Sequence, residues 1–341
     1  MDPLSDVLRA VRLNGAYFYL VEAGTPWSVA ASASPDLVPR VLPNSEHLIP
    51  YHILTAGACW AGIAGEPQIQ MLPGDAIIFP HGDAHVLSSD EHPRGRQLRV
   101  DVVPARHRET VRLGPETARD TTFVCGFLGC DVRPFNPLLA SLPRRLHVPG
   151  IVGGWLSHFP QQVVHESRSG RVGSGTLLTR LAELMFLEVL RHHYEQLEPQ
   201  QTGWLAGLKD PVVGPALVLI HEQPAHQWTI AELAQSIATS RTVLAERFAH
   251  VVGVPPALYL TRWRLQLAAE LLVQGTLKVA AIAARVGYES EASFSRAFKR
   301  ETGLSPAAWR TSRREFAAGD GEGQEAERSM DGRSPGVRSS R

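Results

Sequence analysis

The sequence predicts an α+β protein of several domains, with a β-rich N-terminal half and an all-helical C-terminal half. Residues 1–170 contain short apolar runs separated by Pro and Gly, which is typical of short strands joined by turns. From Gly175 the chain carries one long helical pattern, and from Asp210 it changes to short helical segments with turn signals between them. A length of 341 residues also favours more than one domain.

Composition places the chain among globular proteins, with 44% hydrophobic and 20% charged residues. No apolar run is long enough to span a bilayer and the N-terminus lacks a signal-peptide pattern, so we expect a cytoplasmic protein without membrane contact. Three cysteines are too few for a disulfide scaffold. The net charge is zero, but residues 205–314 hold 13 Lys and Arg against 8 Asp and Glu, which suits a polyanionic partner.

The N-terminal strands are predicted from apolar segments such as WSVAAS, HLIPYHIL, GDAIIFP, HVLSS and QLRVDVV. Many such segments at close spacing indicate an antiparallel sandwich or barrel. The helix predicted next, GTLLTRLAELMFLEVLRHHYEQL, has a wide apolar stripe formed by Leu178, Leu181, Met185 and Val189, with Leu177 and Leu184 beside it. A stripe of this width packs on the β domain or on the same helix of a second subunit.

The C-terminal half is predicted as short helices with capping signals. Thr229 can cap IAELAQSI, and Ser240 can cap RTVLAERFAHVVG, which Gly253 ends. Beyond these helices, residues 315–341 are rich in Gly, Ser and charge and are expected to be disordered.

Two segments of this half repeat each other. The segment WTIAELAQSIATSRTVLAERFAHVVGVPPALYL aligns with LKVAAIAARVGYESEASFSRAFKRETGLSPAAWR, which superimposes Phe248 on Phe298 and Gly253 on Gly303. Each copy has the pattern of a helix, a turn and a helix, and one long helix joins the copies. A tandem helix-turn-helix can present two recognition helices to successive major-groove segments of one duplex.

Residues 208–314 resemble the DNA-binding domain of the AraC/XylS family of bacterial transcription regulators. The resemblance is carried by IAARVGYESEASFSRAFKRETGLSPAAWR and, in the joining helix, by YLTRWRLQLAAELL. It implies a bi-lobed helical domain whose third and sixth helices enter the major groove. We expect the chain to bind double-stranded promoter DNA and to work with RNA polymerase as an activator, with repression as the alternative.

The residues themselves agree with this resemblance. Helical spacing directs Phe294, Ala297 and Phe298 toward the core and leaves the opposite face outward. Small side chains allow close approach to base edges, Arg can bond guanine through two donors, and Lys suits phosphates. Glu246 stands where the family usually has a basic residue, and either accepts from cytosine or weakens the first copy's contact. The predicted DNA-contacting residues are Ser240, Arg241, Thr242, Ala245 and Glu246 in the first copy and Glu291, Ala292, Ser293, Ser295, Arg296 and Lys299 in the second.

The segment GDAIIFPHGDAHVLSS has the Gly, Pro, Gly and His spacing of the second motif of the cupin family. Most of residues 4–200 resemble the cupin-type sensor domain of one AraC-family branch. A cupin metal site takes two His and a Glu from the first motif and a third His from the second, but here the first motif is degraded. The candidate ligands for zinc or another divalent metal are His52, His81, His85 and Cys59, although His85 could instead only bond to backbone.

Cys125 and Cys130 are candidates for redox sensing, because some relatives in this branch sense oxidants through cysteines. Such a role requires an exposed thiol of low pKa. The surrounding segment FVCGFLGC is apolar, and the alternative is a buried strand with inert thiols.

These features predict a one-component transcription regulator, not an enzyme, that is controlled by a small molecule, a metal or an oxidant and can form a homodimer. The alternative is a metal-dependent cupin enzyme with an accessory helical module, which needs at least three ligands converging on an open metal position. The predicted fold is a cupin-like β-barrel with a helical hairpin, followed by an all-α tandem helix-turn-helix domain. The predicted divisions are the sensor domain 1–170, a helical dimerisation or packing segment 171–200, a linker 201–209, the DNA-binding domain 210–314 and the disordered tail 315–341.

Overall fold

A computed structural model of the chain describes residues 2–11, 13–92, 98–99, 110–115, 119–150, 158–169 and 171–313. The tail predicted to be disordered, 315–341, lies outside these residues. The chain divides into two compact units. Unit 1 comprises Met1–Gln223 and Trp228–Leu260, and unit 2 comprises Pro224–Gln227 and Thr261–Arg341. In the part of the chain that the structure describes, no helix is both long and apolar enough to cross a membrane.

The N-terminal part of unit 1 is built from two β-sheets. Its strands are β1 (Leu13–Ala23), β2 (Ser28–Ala31), β3 (His47–Ala56), β4 (Cys59–Ile63), β5 (Ile69–Met71), β6 (Ala76–Ile78), β7 (His85–Ser88), β8 (Leu98–Arg99), β9 (Thr110–Leu113), β10 (Thr121–Cys130) and β11 (Leu146–Val148). One sheet has the order β11-β6-β3-β10-β1-β9 and the other β5-β4-β7-β2-β8. Most neighbours pair antiparallel, as the sequence predicts.

The interior between the sheets follows from strand alternation. Along β1 and β10, every second side chain faces the space between the sheets, because successive residues of a strand point to opposite faces. Tyr19 lies opposite Cys125 in the pairing of β1 with β10, and Cys125 lies opposite His52 in the pairing with β3. We call this interior the sensor core. Its apolar residues come from both sheets and include several aromatic rings, among them Trp27, which stacks on Phe123 at 5.5 Å between ring centroids.

Five helices accompany the sheets: α1 (Pro3–Val11), α2 (Ser34–Val41), α3 (Pro137–Ser141), α4 (Phe159–Ser169) and α5 (Ser174–Gln196). Helices α4 and α5 pack together as a hairpin, and α5 packs on β1. Of the predicted stripe on α5, Leu178, Met185 and Val189 are buried and Leu181 is half-buried, while Leu177 and Leu184 beside the stripe are exposed. Helix α2 contains two prolines, and Pro35 stands in its first turn, where a backbone N–H would have no partner within the helix.

The C-terminal part of the described chain is helical throughout. Its helices are α6 (Trp204–Lys209), α7 (Val213–Glu222), α8 (Ile230–Ser236), α9 (Arg241–Val252), α10 (Pro256–Gln274), α11 (Val279–Arg285) and α12 (Glu291–Thr302). The structure differs from the prediction at 201–209, where the expected linker contains α6 with Trp204, Leu205 and Ala206 buried. A sheet-rich N-terminal domain and a helical C-terminal domain confirm the predicted fold class.

Candidate nucleic-acid interface and sensor core

The first helix-turn-helix consists of α8, a tight turn and α9. The Thr229 hydroxyl caps α8 by accepting from the Glu232 amide at 3.1 Å. The turn places Ala238 at φ +54°, a left-handed conformation that is unfavourable for a residue with a Cβ. Ser240 then caps α9 by accepting from the Val243 amide at 3.2 Å, and α9 ends at Gly253 in the left-handed region. The caps predicted at Thr229 and Ser240 are therefore present.

The second helix-turn-helix, α11 and α12, repeats this geometry with other residues. Gly287 occupies the left-handed turn position at φ +87°, and an added Cβ there would lie 2.5 Å from the Ala225 carbonyl oxygen. Ser290 caps α12 by accepting from the Ser293 amide at 3.2 Å. Helix α12 ends at Gly303, also left-handed. Lys278, the residue that precedes α11, makes no side-chain cap.

Buried aromatic residues hold α12 in place. Phe294 and Phe298 are fully buried, with ring centroids 5.5 Å apart, and Phe298 meets Trp309 edge-to-face at 5.7 Å. Ala297 is also buried, as the helical spacing predicts. In α9 the corresponding inner residues are Leu244 and Phe248, both at zero exposure. One face of each helix is therefore fixed by the core, and the other is available to a partner.

All the residues predicted to contact DNA lie outside the core. Exposed members are Ser240, Arg241, Thr242, Glu246, Glu291, Ala292, Arg296 and Lys299, and half-buried members are Ala245, Ser293 and Ser295. The predicted set of DNA-contacting residues does not include Arg300, which is exposed beside Lys299 and lies one turn after Arg296.

The outward faces of the two helices differ in charge. In α12 the exposed cations Arg296, Lys299 and Arg300 accompany one exposed acid, Glu291. In α9 the exposed Arg241 and Glu246 cancel, and Arg247 donates to the Asp210 carboxylate at 2.7 Å. Asp210 also accepts from the Val212 and Val213 amides, each at 2.9 Å, and these bonds help lower its pKa against the opposing effect of burial. Helix α12 is thus the more strongly basic surface.

The sensor core contains a chain of hydrogen bonds between buried polar side chains. His85 Nδ1 lies 2.8 Å from the Asp83 carbonyl oxygen and therefore carries the proton, which leaves its Nε2 as an acceptor. His52 Nε2 lies 2.8 Å from His85 Nε2 and donates to it, so His52 Nδ1 accepts from the Cys125 thiol at 2.7 Å. The Tyr19 hydroxyl completes the chain at Cys125.

Every group in this chain is held neutral. Burial lowers the pKa of His85 to about 4, and burial together with the neighbouring His85 lowers the pKa of His52 well below its usual value. Burial raises the pKa values of Cys125 and Tyr19. No charged group is needed in this chain, because the hydrogen bonds among Tyr19, Cys125, His52 and His85 satisfy one another's donors and acceptors. Such mutual hydrogen bonding allows a polar cluster to be stable in an apolar interior.

The four candidate metal ligands do not meet at one point. His52 and His85 meet through Nε2, but Cys125 occupies the other ring nitrogen of His52. His81 Nε2 instead bonds the Leu142 carbonyl oxygen at 2.9 Å, and Cys59 is buried, with a pKa raised to about 12 chiefly by burial. Within the described ranges, no group of three or more metal-ligating side chains could hold an ion. These residues do not fit a three-ligand metal centre.

The two redox candidates have properties opposite to those of a reactive thiol. Cys125 and Cys130 are both buried, and burial is the main cause of a raised pKa at each. They stand on the same strand, β10, with opposite side-chain directions, since they are an odd number of residues apart. A disulfide between them would require the strand to break.

Comparison with known proteins gives two matching family models. A cupin model matches residues 2–195, and a helix-turn-helix domain model matches residues 233–312. The match to the cupin model agrees with the two-sheet architecture of the N-terminal part. The match to the helix-turn-helix model includes α9, α11 and α12.

Several relatives align along most of the chain. A protein of Streptomyces antibioticus described as a putative AraC-like transcription regulator is 34% identical over 317 residues, which cover 91% of this chain and 98% of that protein. The HTH-type transcriptional regulator AlkR of Acinetobacter baylyi is 28% identical, covering 91% of this chain and 99% of that protein. Among solved structures, the DNA-binding domain of AdpA in complex with a target DNA is 29% identical over 31% of this chain and 95% of that one, with a TM-score of 0.30.

Proposed function

The chain belongs to the AraC-like transcription regulators, and from that membership we propose that α12 is the helix that reads the bases of its target promoter, with α9 in a supporting role. The observation that carries the proposal is the exposed face of α12, where Arg296 stands opposite the buried Phe294 and Phe298 and the half-buried Ser295 lies beside it. A helix anchored on one face and capped at both ends presents its other face rigidly. Arg with a small hydroxyl neighbour suits the edge of guanine in the major groove.

The test uses the full-length chain and a duplex that it selects from a random library. The Arg296→Ala variant should bind this duplex more weakly by about 1–3 kcal/mol and lose preference at one base pair. Arg40→Ala removes the same charge from an exposed position in the last turn of α2 and should leave affinity unchanged. Fluorescence anisotropy at several salt concentrations gives both values. Equal affinity of the Arg296→Ala variant and the parent chain would remove Arg296 from base reading.

The sensor domain is proposed to bind a small-molecule effector outside the sensor core. The core is occupied by packed rings and by the bonded Tyr19–His85 chain, whereas a groove of about 740 Å³ lies between α4 and the ends of β1, β3 and β10. Its volume lies in the range of small-molecule sites, and its walls combine Leu20 and Val164 with the polar Thr55 and His165. Compounds that raise the melting temperature of the parent chain but not of Val164→Trp, which fills the groove, would support this position.

A homodimer through α5 is part of the same proposal. Leu177 and Leu184 are exposed by 42% and 47% and lie two turns apart on one side of α5. Burying them against a second copy would remove this apolar strip from water. Sedimentation of the parent chain should show a dimer that Leu184→Glu dissociates; a parent chain that stays monomeric at all concentrations would contradict the proposal.

The direction of regulation is proposed to be activation, with RNA polymerase as the partner at the promoter. The relatives named above are regulators, which agrees with the expectation that the chain is not an enzyme, and no finding favours the alternative of a metal-dependent enzyme. Transcription in vitro from the selected promoter, with and without the full-length chain, tests the direction. A lower amount of transcript in the presence of the chain would indicate repression and would contradict the proposal.

A further inference from the structure

Unit 2 includes one short segment that lies far from the rest of the unit in the sequence. This segment, Pro224–Gln227, follows α7 and precedes α8, whereas the remainder of unit 2 begins at Thr261. We call it the docking loop. None of its four residues lies in a helix or strand, and Ala225, His226 and Gln227 are exposed. Burial of its side chains therefore does not account for its place in unit 2, which depends on polar contacts.

Arg264 of α10 binds the backbone of the docking loop at two points. Its Nε donates to the Pro224 carbonyl oxygen at 2.6 Å, and its Nη2 donates to the His226 carbonyl oxygen at 2.7 Å. The side chain is half-buried, and burial lowers the pKa of its guanidinium. A guanidinium nevertheless stays charged in proteins, and its donors form a rigid fork, so this one side chain fixes two carbonyl groups. A lysine ammonium is a single point of charge and cannot reproduce that geometry.

The docking loop also contacts the turn between α11 and α12. The Gln227 side-chain Nε2 donates to the Gly287 carbonyl oxygen at 2.6 Å. The backbone of Ala225 approaches Gly287 so closely that an added Cβ would lie 2.8 Å from the Ala225 Cα as well as 2.5 Å from its carbonyl oxygen. The docking loop thus links Arg264 of α10 to the turn that precedes α12.

This turn leads directly into the core contacts that orient α12. Tyr288 follows Gly287, and its ring meets the Phe294 ring edge-to-face, with centroids 5.4 Å apart. Phe294 is fully buried on the inner face of α12. Burial raises the pKa of Tyr288, and the neighbouring Arg264 guanidinium opposes this rise. A displaced turn should therefore change the direction of α12 relative to the core of unit 2.

We propose that Arg264 is a positioning residue for DNA reading by α12, because it holds the docking loop against the turn at Gly287 and so fixes the direction in which α12 leaves that turn. The inference rests on the proposed function, since it takes α12 as the reading helix. A cation that contacted phosphate would act through its charge, which lysine retains, whereas Arg264 acts through the two carbonyl groups that its fork holds. The two roles therefore predict different results for Arg264→Lys.

Titration of the full-length variants with the selected duplex at several salt concentrations distinguishes these roles. Arg264→Lys should bind about tenfold more weakly than the parent chain, with the same dependence of affinity on salt, and Arg264→Ala should behave in the same way. Arg40→Lys makes the same substitution at an exposed position of α2 and should leave affinity unchanged. Parental affinity in Arg264→Lys would overturn the proposal. If Arg264→Ala then also showed a shallower salt dependence, Arg264 would be a phosphate contact.

Hydrogen exchange of the full-length chain without DNA tests the positioning step separately from DNA reading. The amides of Gly287 and Tyr288 donate to carbonyl oxygens in the last turn of α11 at 3.1 and 2.9 Å, so their exchange reports on the turn. In Arg264→Lys these two amides should exchange about tenfold faster than in the parent chain, while the amide of Phe298 within α12 keeps its rate. Unchanged exchange in the turn would overturn the proposal, and so would an equal increase at Phe298, because the loss would then be general destabilisation.

Gln227→Met provides a milder second variant, because it removes one exposed hydrogen bond and leaves Arg264 in place. It should weaken DNA binding by about two- to threefold, and Arg264→Lys should cost less in this background than in the parent chain, since both residues act through the docking loop. Fully additive effects would contradict that shared route and overturn the proposal. Parental affinity in Arg296→Ala would refute base reading by Arg296, whereas unchanged turn exchange in Arg264→Lys would refute only the positioning role of Arg264, so the two failures are distinguishable.

Discussion

The two helix-turn-helix copies have the same backbone design and opposite surfaces. Each has a left-handed turn residue, a serine cap on the second helix and a left-handed glycine at its end. Yet the turn is Ala238 in one and Gly287 in the other, and the exposed residue at the centre of the second helix is Glu246 in one and Arg296 in the other. The comparison indicates that the caps, the turn residue and the core residues of the repeat determine its backbone structure. The few outward-facing positions, which differ between the copies, determine what each copy can bind.

The copies also differ in their surroundings. The first belongs to unit 1 together with the sensor domain, and the second belongs to unit 2. Unit 1 contains the buried neutral histidines His52, His85 and His221. In the described part of unit 2 the one histidine is His226, which is exposed. The two copies should therefore respond differently to acid as well as to substitution.

The largest effect is expected at the turn. Gly287→Ala should destabilise unit 2 by about 3 kcal/mol, because a left-handed alanine is strained and its Cβ would also meet the Ala225 carbonyl oxygen. The matched change Ala238→Gly in the first copy should instead be neutral or stabilising, by at most about 1 kcal/mol. Urea unfolding of the full-length variants measures both. A stable Gly287→Ala variant would show that the two turns are equivalent despite their different residues.

Acid should weaken unit 1 more than unit 2. An unfolded histidine binds a proton below about pH 6.5, whereas folded His221, with its pKa near 3, stays neutral. Its contribution is thus complete above pH 6.5 and is lost as the pH falls, by about 2 kcal/mol between pH 7 and pH 5. Around this ring lie the carboxylates of Asp6 and Asp2 and the hydroxyl of Tyr259.

Thermal unfolding at pH 7 and pH 5 measures this effect, and His221→Gln should show a smaller difference between the two pH values. Equal loss of stability in the parent chain and in His221→Gln would mean that other groups dominate the acid response. An equal loss of stability at pH 5 in units 1 and 2 would contradict the expectation that the two helix-turn-helix copies respond differently to acid.

A change of charge on α9 should make the copies more alike. Glu246→Arg places a cation where α12 has Arg296 and should raise affinity for the selected duplex by about 1 kcal/mol, with a steeper salt dependence. Asp36→Arg makes the same change in charge on α2 and should have no effect. Anisotropy titrations between about 50 and 200 mM salt measure both quantities. Weaker binding of Glu246→Arg would indicate that Glu246 itself makes a favourable base contact.

The smallest difference is expected at the serine caps. Ser240→Ala and Ser290→Ala should each cost about 1 kcal/mol of stability, because each hydroxyl accepts from a helix amide at the same distance of 3.2 Å. Thermal melts of the two variants, compared with Ser312→Ala outside both caps, give the values. A melting curve of Ser240→Ala that coincides with the parent curve would argue against equal capping.

The C-terminal repeat was accessible from sequence because its signals are local. Caps, left-handed glycines and the spacing of Phe294 and Phe298 depend on residues within a few positions of one another. The sensor core was not accessible in the same way, because His52 and Cys125 meet only through the pairing of β3 with β10. The sequence search for metal ligands also grouped His81 with His85, although the two histidines contact different elements.

Helix α6 illustrates why the linker prediction and the structure differ. The segment WLAGLK has too few residues to show a helical period, and its Gly207 is an ordinary loop signal. Its helix is stabilised by packing against the neighbouring α7 and against α9, which lies more than thirty residues further along the chain. Similarly, Asp6 and His221 are far apart in the sequence but lie 3.7 Å apart in the structure, so no local sequence pattern predicts that they are close.

The burial of Trp204 has a consequence for exchanging domains between regulators of this kind. A chimera joined at residue 210 would leave behind the indole that donates to Tyr259, and would uncover the aromatic surface beneath it. The junction with the least disruption falls before Gly203, so that the graft carries α6 along. Even then, the incoming sensor domain needs an aromatic ring at the place of Phe135, which meets Tyr259 edge-to-face at 5.5 Å between ring centroids, and this requirement limits which sensor domains can be exchanged.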